Sequence, residues 1–151
     1  MISNLRFWKS ELAVLSCCLL FFLMLSCNQS KTDNSNKFNN YFRQGEQLYT
    51  KHCSNCHQVD GTGLGRLYPP LKQSDYMNKN LEQVICLMRN GIQGELVVNG
   101  VQYNQAMPGV PTLTDLETAE IATYIYNAWG NEHGLIDVKE VEQISNTCGG
   151  K

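Results

Sequence analysis

"KHCSNCHQVDGTG", Lys51 to Gly63, carries two cysteines three positions apart, with a histidine directly after the second. Three chemistries use thiols at this spacing. A redox dithiol of the thioredoxin type wants a βαβ context, and the flanking sequence has none. A structural zinc site needs four ligands, usually from two such pairs. The later cysteines, Cys86 and Cys148, are isolated and make no second pair. Covalent haem attachment needs only this local pattern. Cys53 and Cys56 would each add across a vinyl group to form a thioether. His57 would then lie under the porphyrin and offer a ring nitrogen to iron.

The flanking chain reads as helical. "FNNYFRQGEQLYTKHC" leads into the motif with Phe38, Tyr41, Phe42, Leu48 and Tyr49 at helical spacing. Gly45 within it costs about 1 kcal/mol against Ala, which predicts a close packing partner. Gly61 to Pro70 is rich in Gly and Pro and reads as loop. "NKNLEQVICLMRNG" predicts a second helix with Leu81, Val84, Ile85 and Met88 on one face, capped by Asn78 or Asn80 and ended by Gly91. In "ELVVNGVQYN", Asn99-Gly100 between two β-branched runs predicts a hairpin. "LTDLETAEIATYIYNAWG" is the clearest helix. Thr114 with Glu117 forms a capping box, Leu116, Ala119, Ile121, Tyr124, Ile125 and Ala128 line an apolar stripe, and Gly130 closes it. A last short helix is expected from Asp137 to Ser145, with Val138, Val141 and Ile144 inward.

The N-terminus reads as an export signal. Arg6 and Lys9 precede Leu12 to Ser26, an uncharged run too short for a bilayer-spanning helix. Its end, "LMLSC", resembles a bacterial lipoprotein box, although Met24 stands where Leu is usual. That resemblance implies cleavage after Ser26, a lipid on the Cys27 thiol and a folded part held at the periplasmic side of a membrane. "NQSKTDNSNK" has no apolar residue and reads as a flexible tether. The expected layout is a signal peptide over 1–26, a lipid-anchored tether over 27–37, one domain over 38–130 and a C-terminal extension over 131–151.

A net charge of −2 gives no footprint for nucleic acid. The charges are uneven. Arg43 to Arg89 holds six bases and four acids, and Glu95 to Lys151 holds two bases and eight acids. Lys51, Arg66, Lys72 and Lys79 are therefore candidates to steer an acidic redox partner, against the plainer reading of a solvated surface. In an oxidising compartment Cys86 and Cys148 are either a disulfide or two separate thiols, one a small buried hydrophobe and one in the tail.

Four pieces in order, "GEQLYTKHCSNCHQVDGTG", "YPPL", "YNQAMPG" and "EIATYIYNAWGN", make the chain from about residue 38 to 130 resemble a class I c-type cytochrome domain. The resemblance implies an all-α fold, a small helical bundle around one haem c, here with a short β-hairpin insertion. First and last helices of such a bundle cross at a glycine and aromatic contact, roles that fit Gly45 and Tyr49 against Ile121 and Tyr124. It also implies a methionine as second axial ligand. Met107, followed by Pro108, matches the family motif. Met77, Met88, His52 and His133 are the alternatives. The Pro69 carbonyl is expected to accept a hydrogen bond from His57, and Leu71 to pack on the ring. Tyr103 and Trp129 are either haem contacts or plain core.

The function implied is electron transfer between redox protein partners, with no catalytic acid, base or nucleophile beside the iron. Two further readings differ in class. One is an electron-accepting subunit of a larger dehydrogenase, reductase or oxidase. The other is a sensor or peroxidase with an open iron site.

Overall fold

The computed structural model describes residues 29–149, with side chains from Asp33 onward. The expected signal peptide and Cys27 lie outside the described residues. The chain divides into Met1–Lys37 and Phe38–Lys151. Among the described residues, six helices and one hairpin follow in order: α1 (Gln29–His52), α2 (Ser54–His57), α3 (Asp75–Lys79), α4 (Leu81–Asn90), β1 (Leu96–Val98), β2 (Val101–Tyr103), α5 (Asp115–Ile125) and α6 (Val138–Ser145). This is the expected mostly helical architecture with one small antiparallel hairpin, whose register pairs Leu96 with Tyr103 and Val98 with Val101. Among the described residues, no helix is long and apolar enough to cross a membrane.

Helix α1 starts at Gln29, inside the segment expected to be a tether. From Gln29 to Arg43 it meets neither Gly nor Pro, so nothing in the polar stretch stops the helical backbone from propagating. Its buried residues begin later, at Tyr41, Gly45 and Tyr49.

Gly45 lies against helix α5. A Cβ built there would fall onto the Glu120 carbonyl and within 2.8 Å of Tyr124 Cβ. Around this crossing the rings of Phe42, Tyr49, Tyr124 and Trp129 pack edge-on or tilted, with centroids 5.1–5.4 Å apart. Such geometries suit the ring quadrupoles.

Helix α5 has its capping box. Glu117 N–H donates to Thr114 Oγ1 at 3.2 Å, and Thr114 N–H donates to Glu117 Oε2 at 2.9 Å. The inward face differs from the expected stripe. Leu116 is 44% exposed, whereas Thr118 and Thr123 are fully buried. Their hydroxyls are satisfied where they stand, Thr118 donating to the Thr114 carbonyl and Thr123 to the Ile136 carbonyl, so burial leaves no polar atom without a partner. The helix ends at Ile125 rather than at Gly130.

Helix α3 has no counterpart among the expected elements. Ser74 caps it, its Oγ accepting Met77 N–H at 3.2 Å. Asn80 follows as the N-cap of α4, but its side chain donates backwards to the Tyr76 carbonyl. Helix α6 buries Val141 and Ile144 and packs on α4 and α5. Cys86 of α4 and Cys148 beyond α6 form a disulfide with Cα atoms 5.5 Å apart. Beside it Arg89 bonds Asp115 Oδ1 at 2.7 Å and Ser145 Oγ at 3.4 Å, joining three helices.

Candidate haem site

The turn Cys53–His57 continues directly from α1, since Cys53 N–H donates to the Tyr49 carbonyl at 2.8 Å. One helical turn then carries Cys56 and His57 onto the protein's inner side. The Tyr49 hydroxyl donates to the Gln58 carbonyl at 2.5 Å and fixes the exit from that turn.

The loop that follows folds back on itself. Gly63 N–H donates to the His57 carbonyl at 3.0 Å, and Leu71 and Lys72 N–H both donate to the Gly61 carbonyl. Gly63 has φ +69°, and a Cβ there would sit 2.7 Å from the Pro69 oxygen. Only glycine meets both demands without strain. The result is that His57 Nδ1–H donates to the Pro69 carbonyl at 2.9 Å, the contact expected between these two residues. That bond fixes the tautomer and leaves Nε2 with its lone pair. His57 is 8% exposed, and burial lowers its pKa against the opposing pull of the Pro69 bond. The ring is neutral at pH 7.

Two clefts of about 580 and 510 Å³, counting their solvent-open mouths, meet at His57. Both are walled by His57, Pro69, Leu87, Leu96 and Met107. Cys53 and Leu71 line the first cleft and Cys56 the second. Residues from five separate stretches of sequence therefore converge on one pocket. Ile121 and Ile125 of α5 also line the first cleft, whose wall is almost wholly apolar.

Three methionines reach the pocket, and their settings differ. Met77 and Met88 are 3% and 6% exposed and belong to the continuous hydrophobic core. Met107 stands outside that core on an extended segment whose backbone pairs with Ile92, N–H to carbonyl in both directions at 2.9 Å. It lines both clefts, whereas Met77 and Met88 line only the first. His52 and His133 line neither. His133 packs edge-on against Tyr126 at 5.3 Å. Trp129 packs on Tyr49 and Tyr124 instead of the clefts, while Tyr103 lines the second cleft. The hairpin residues Leu96 and Val98 also form cleft wall. Their sequence signal was the Asn-Gly turn, which predicts a hairpin but not what it covers.

The thiols separate by state. Cys86 and Cys148 are bonded, and Cys53 and Cys56 are free. Burial, with the Cys56 charge adding to it, pushes the Cys53 thiol up to about 11. A redox dithiol needs the opposite shift. Among the described residues, no group of three or more His, Cys, Asp or Glu side chains is placed to hold a metal ion.

Residues 42–129 match the family model for cytochrome c. The chain belongs to the cytochrome c family. It is 33% identical over 91 residues to a cytochrome c-552 of Thermus thermophilus, covering 58% of this chain and 69% of that one. It is 28% identical over 109 residues to the cytochrome c subunit of a quinone alcohol dehydrogenase from Gluconobacter oxydans, covering 68% of this chain but 22% of that subunit. A similar subunit from Komagataeibacter europaeus is 29% identical over 107 residues, covering 68% of this chain and 22% of that subunit. The cytochrome therefore carries covalently bound haem c with its iron, and its chemistry is electron transfer. The pocket fits that group in donor set and in lining: two free thiols at one edge, a neutral imidazole held by its far nitrogen, a thioether, and hydrocarbon walls.

Proposed function

We propose that the cytochrome is a single-electron carrier in which Cys53 and Cys56 would attach the haem, and His57 Nε2 and Met107 Sδ would hold its iron. The observation that carries this reading is that His57 and Met107 line the same two clefts, with the cysteines at the edge. When bound, the haem supplies a one-electron couple at iron. The chain supplies the rest. Pro69 orients the imidazole and raises its basicity through Nδ1–H. Leu71, Leu87, Leu96 and Val98 exclude water, which disfavours the more highly charged ferric site and, with the neutral thioether, raises the reduction potential. With both His57 and Met107 holding it, the iron would have no position left for a substrate.

The test is spectroscopic. Protein matured in a haem-attachment host should show a mass increase of one haem and, when ferric, the weak far-red band of methionine ligation. Met107→Ala should remove that band and open the ferrous form to rapid carbon monoxide binding. An unchanged spectrum in Met107→Ala would refute Met107, and Met77→Leu is then the next variant.

Export and anchoring belong to the same proposal. Leu12 to Ser26 and Cys27 direct the protein to the periplasmic side of a bacterial membrane and attach a lipid there. Cys27→Ser should shift the mature protein from the membrane to the soluble fraction. A second reading is an electron-accepting subunit of a larger dehydrogenase, favoured by the similarity to the Gluconobacter subunit. Copurification of a catalytic chain with the tagged native protein decides it.

A further inference from the structure

The hairpin wall of the haem pocket is fastened at two places. Its base is the Ile92–Met107 backbone pair. Its tip is Asn99, at φ +51° in the Asn-Gly turn. There Asn99 N–H donates to Asp75 Oδ1 at 2.6 Å, while Asp75 N–H donates to Asn99 Oδ1 at 2.9 Å. The two residues thus close a reciprocal ring that joins the hairpin tip to the first residue of α3.

Between these ties the wall is one strand pair thick. Leu96 and Val98 line the clefts, and Val97 on the outer face is 57% exposed. A two-stranded hairpin is marginal by itself in water. Beyond β2, the element that β1 packs against is α3, and the Asp75–Asn99 ring is the polar tie between them. Release of the tip leaves the hairpin held chiefly at its base, which is Met107 itself.

We propose that Asp75 and Asn99 are positioning residues for the sixth ligand. Their ring keeps the hairpin shut over the pocket, holds Met107 on iron and sets how readily an external ligand replaces it. This rests on Met107 as the axial ligand. The ring works by hydrogen bonding rather than charge, because the Lys79–Asp75 ion pair is exposed at 3.7 Å and contributes little.

The test is the rate at which imidazole replaces methionine in the ferric protein, followed by the far-red band. Asn99→Gly suits the positive φ and removes the side-chain acceptor, but it also frees the turn backbone, so Asp75→Ala, which leaves that backbone unchanged, must show the same effect. Asp75→Ala removes the other. Each should speed imidazole uptake about tenfold, the change expected when a local opening loses one to two hydrogen bonds. Asp75→Asn keeps an oxygen acceptor and should match the parent. Thr114→Ala, which weakens the α5 cap and leaves the Asp75–Asn99 ring intact, should lower stability without changing the uptake rate. Amide exchange at Val98 and Tyr103 should rise in Asn99→Gly and Asp75→Ala alone. Uptake within twofold of the parent in both variants, or equal acceleration in Thr114→Ala, overturns the proposal. Failure of the underlying reading looks different: Met107→Ala would then leave the parent spectrum unchanged.

Discussion

Gly45 and Tyr124 meet with no room for a methyl group between their helices. A Cβ on Gly45 would lie 2.8 Å from Tyr124 Cβ and would overlap the Glu120 carbonyl. The overlapped atom is backbone, so no side-chain rotation relieves it. Gly45→Ala gains about 1 kcal/mol of helix propensity and loses about 3 kcal/mol to overpacking. A net loss of about 2 kcal/mol is expected in denaturant unfolding of the holoprotein. A Gly45→Ala variant as stable as the parent would remove the close crossing as the reason for Gly45.

The Cys86–Cys148 bridge closes an interval of 62 residues and ties the C-terminal extension to α4. In the chain-entropy account such a loop stabilises by about 4 kcal/mol, and measured values commonly fall at about 2–4 kcal/mol. The double variant Cys86→Ser/Cys148→Ser should lose that much while keeping the haem spectrum, since neither cysteine lines the haem clefts. Insensitivity of the parent's unfolding midpoint to reductant would contradict this.

These two relationships also mark what sequence can and cannot carry. Gly45 was legible as a close contact because a glycine inside a helical pattern weakens the helix, and a tightly packed neighbour offsets that loss. The thiol pattern at Cys53, Cys56 and His57 was legible as a candidate haem site because its chemistry is local. Thr114 and Glu117 were legible for the same reason. The Cys86–Cys148 pairing was not decided by sequence, since 62 residues of chain say nothing about distance. Leu116 was expected inward because it is apolar, yet it is exposed while Thr118 and Thr123 are buried. Their hydroxyl partners are helix and loop carbonyls, which no side-chain pattern reports. Helix α3 had only Ser74 as a signal, and five residues are too few for periodicity.

Stability should also fall in alkali. The Tyr126 hydroxyl donates to the Met77 carbonyl at 2.8 Å in the core. Burial, with Tyr76 nearby adding to it, raises the Tyr126 pKa well above the ordinary value of 10.0. A raised folded pKa means that the neutral phenol belongs to the fold. Its contribution is complete below the unfolded pKa, near 10, and is lost as pH rises beyond it. Tyr126→Phe should cost about 1 kcal/mol at pH 7 through the lost hydrogen bond. It should then lose less than the parent between pH 9 and about pH 11, the range that brackets an unfolded tyrosine. Parallel declines in urea unfolding would show that another group governs alkaline stability.

The position of the Pro69 carbonyl should tune the iron, and Gly63 is the handle on it. Alanine at φ +69° is strained, and its methyl would press on the Tyr68 carbonyl oxygen and on the Pro69 carbonyl, both of its atoms at 2.7 Å. The loop must then move the Pro69 oxygen relative to His57 Nδ1, now 2.9 Å away. A weaker bond makes the imidazole a poorer donor, which destabilises ferric iron more than ferrous iron. The expected result for Gly63→Ala is a higher reduction potential with the methionine band retained. It should come with a stability loss of about 1–3 kcal/mol, the usual cost of such backbone strain. The two readouts separate the roles. Strain without retuning would lower stability at constant potential, and that outcome would mean the Pro69 bond orients the ring without setting its basicity.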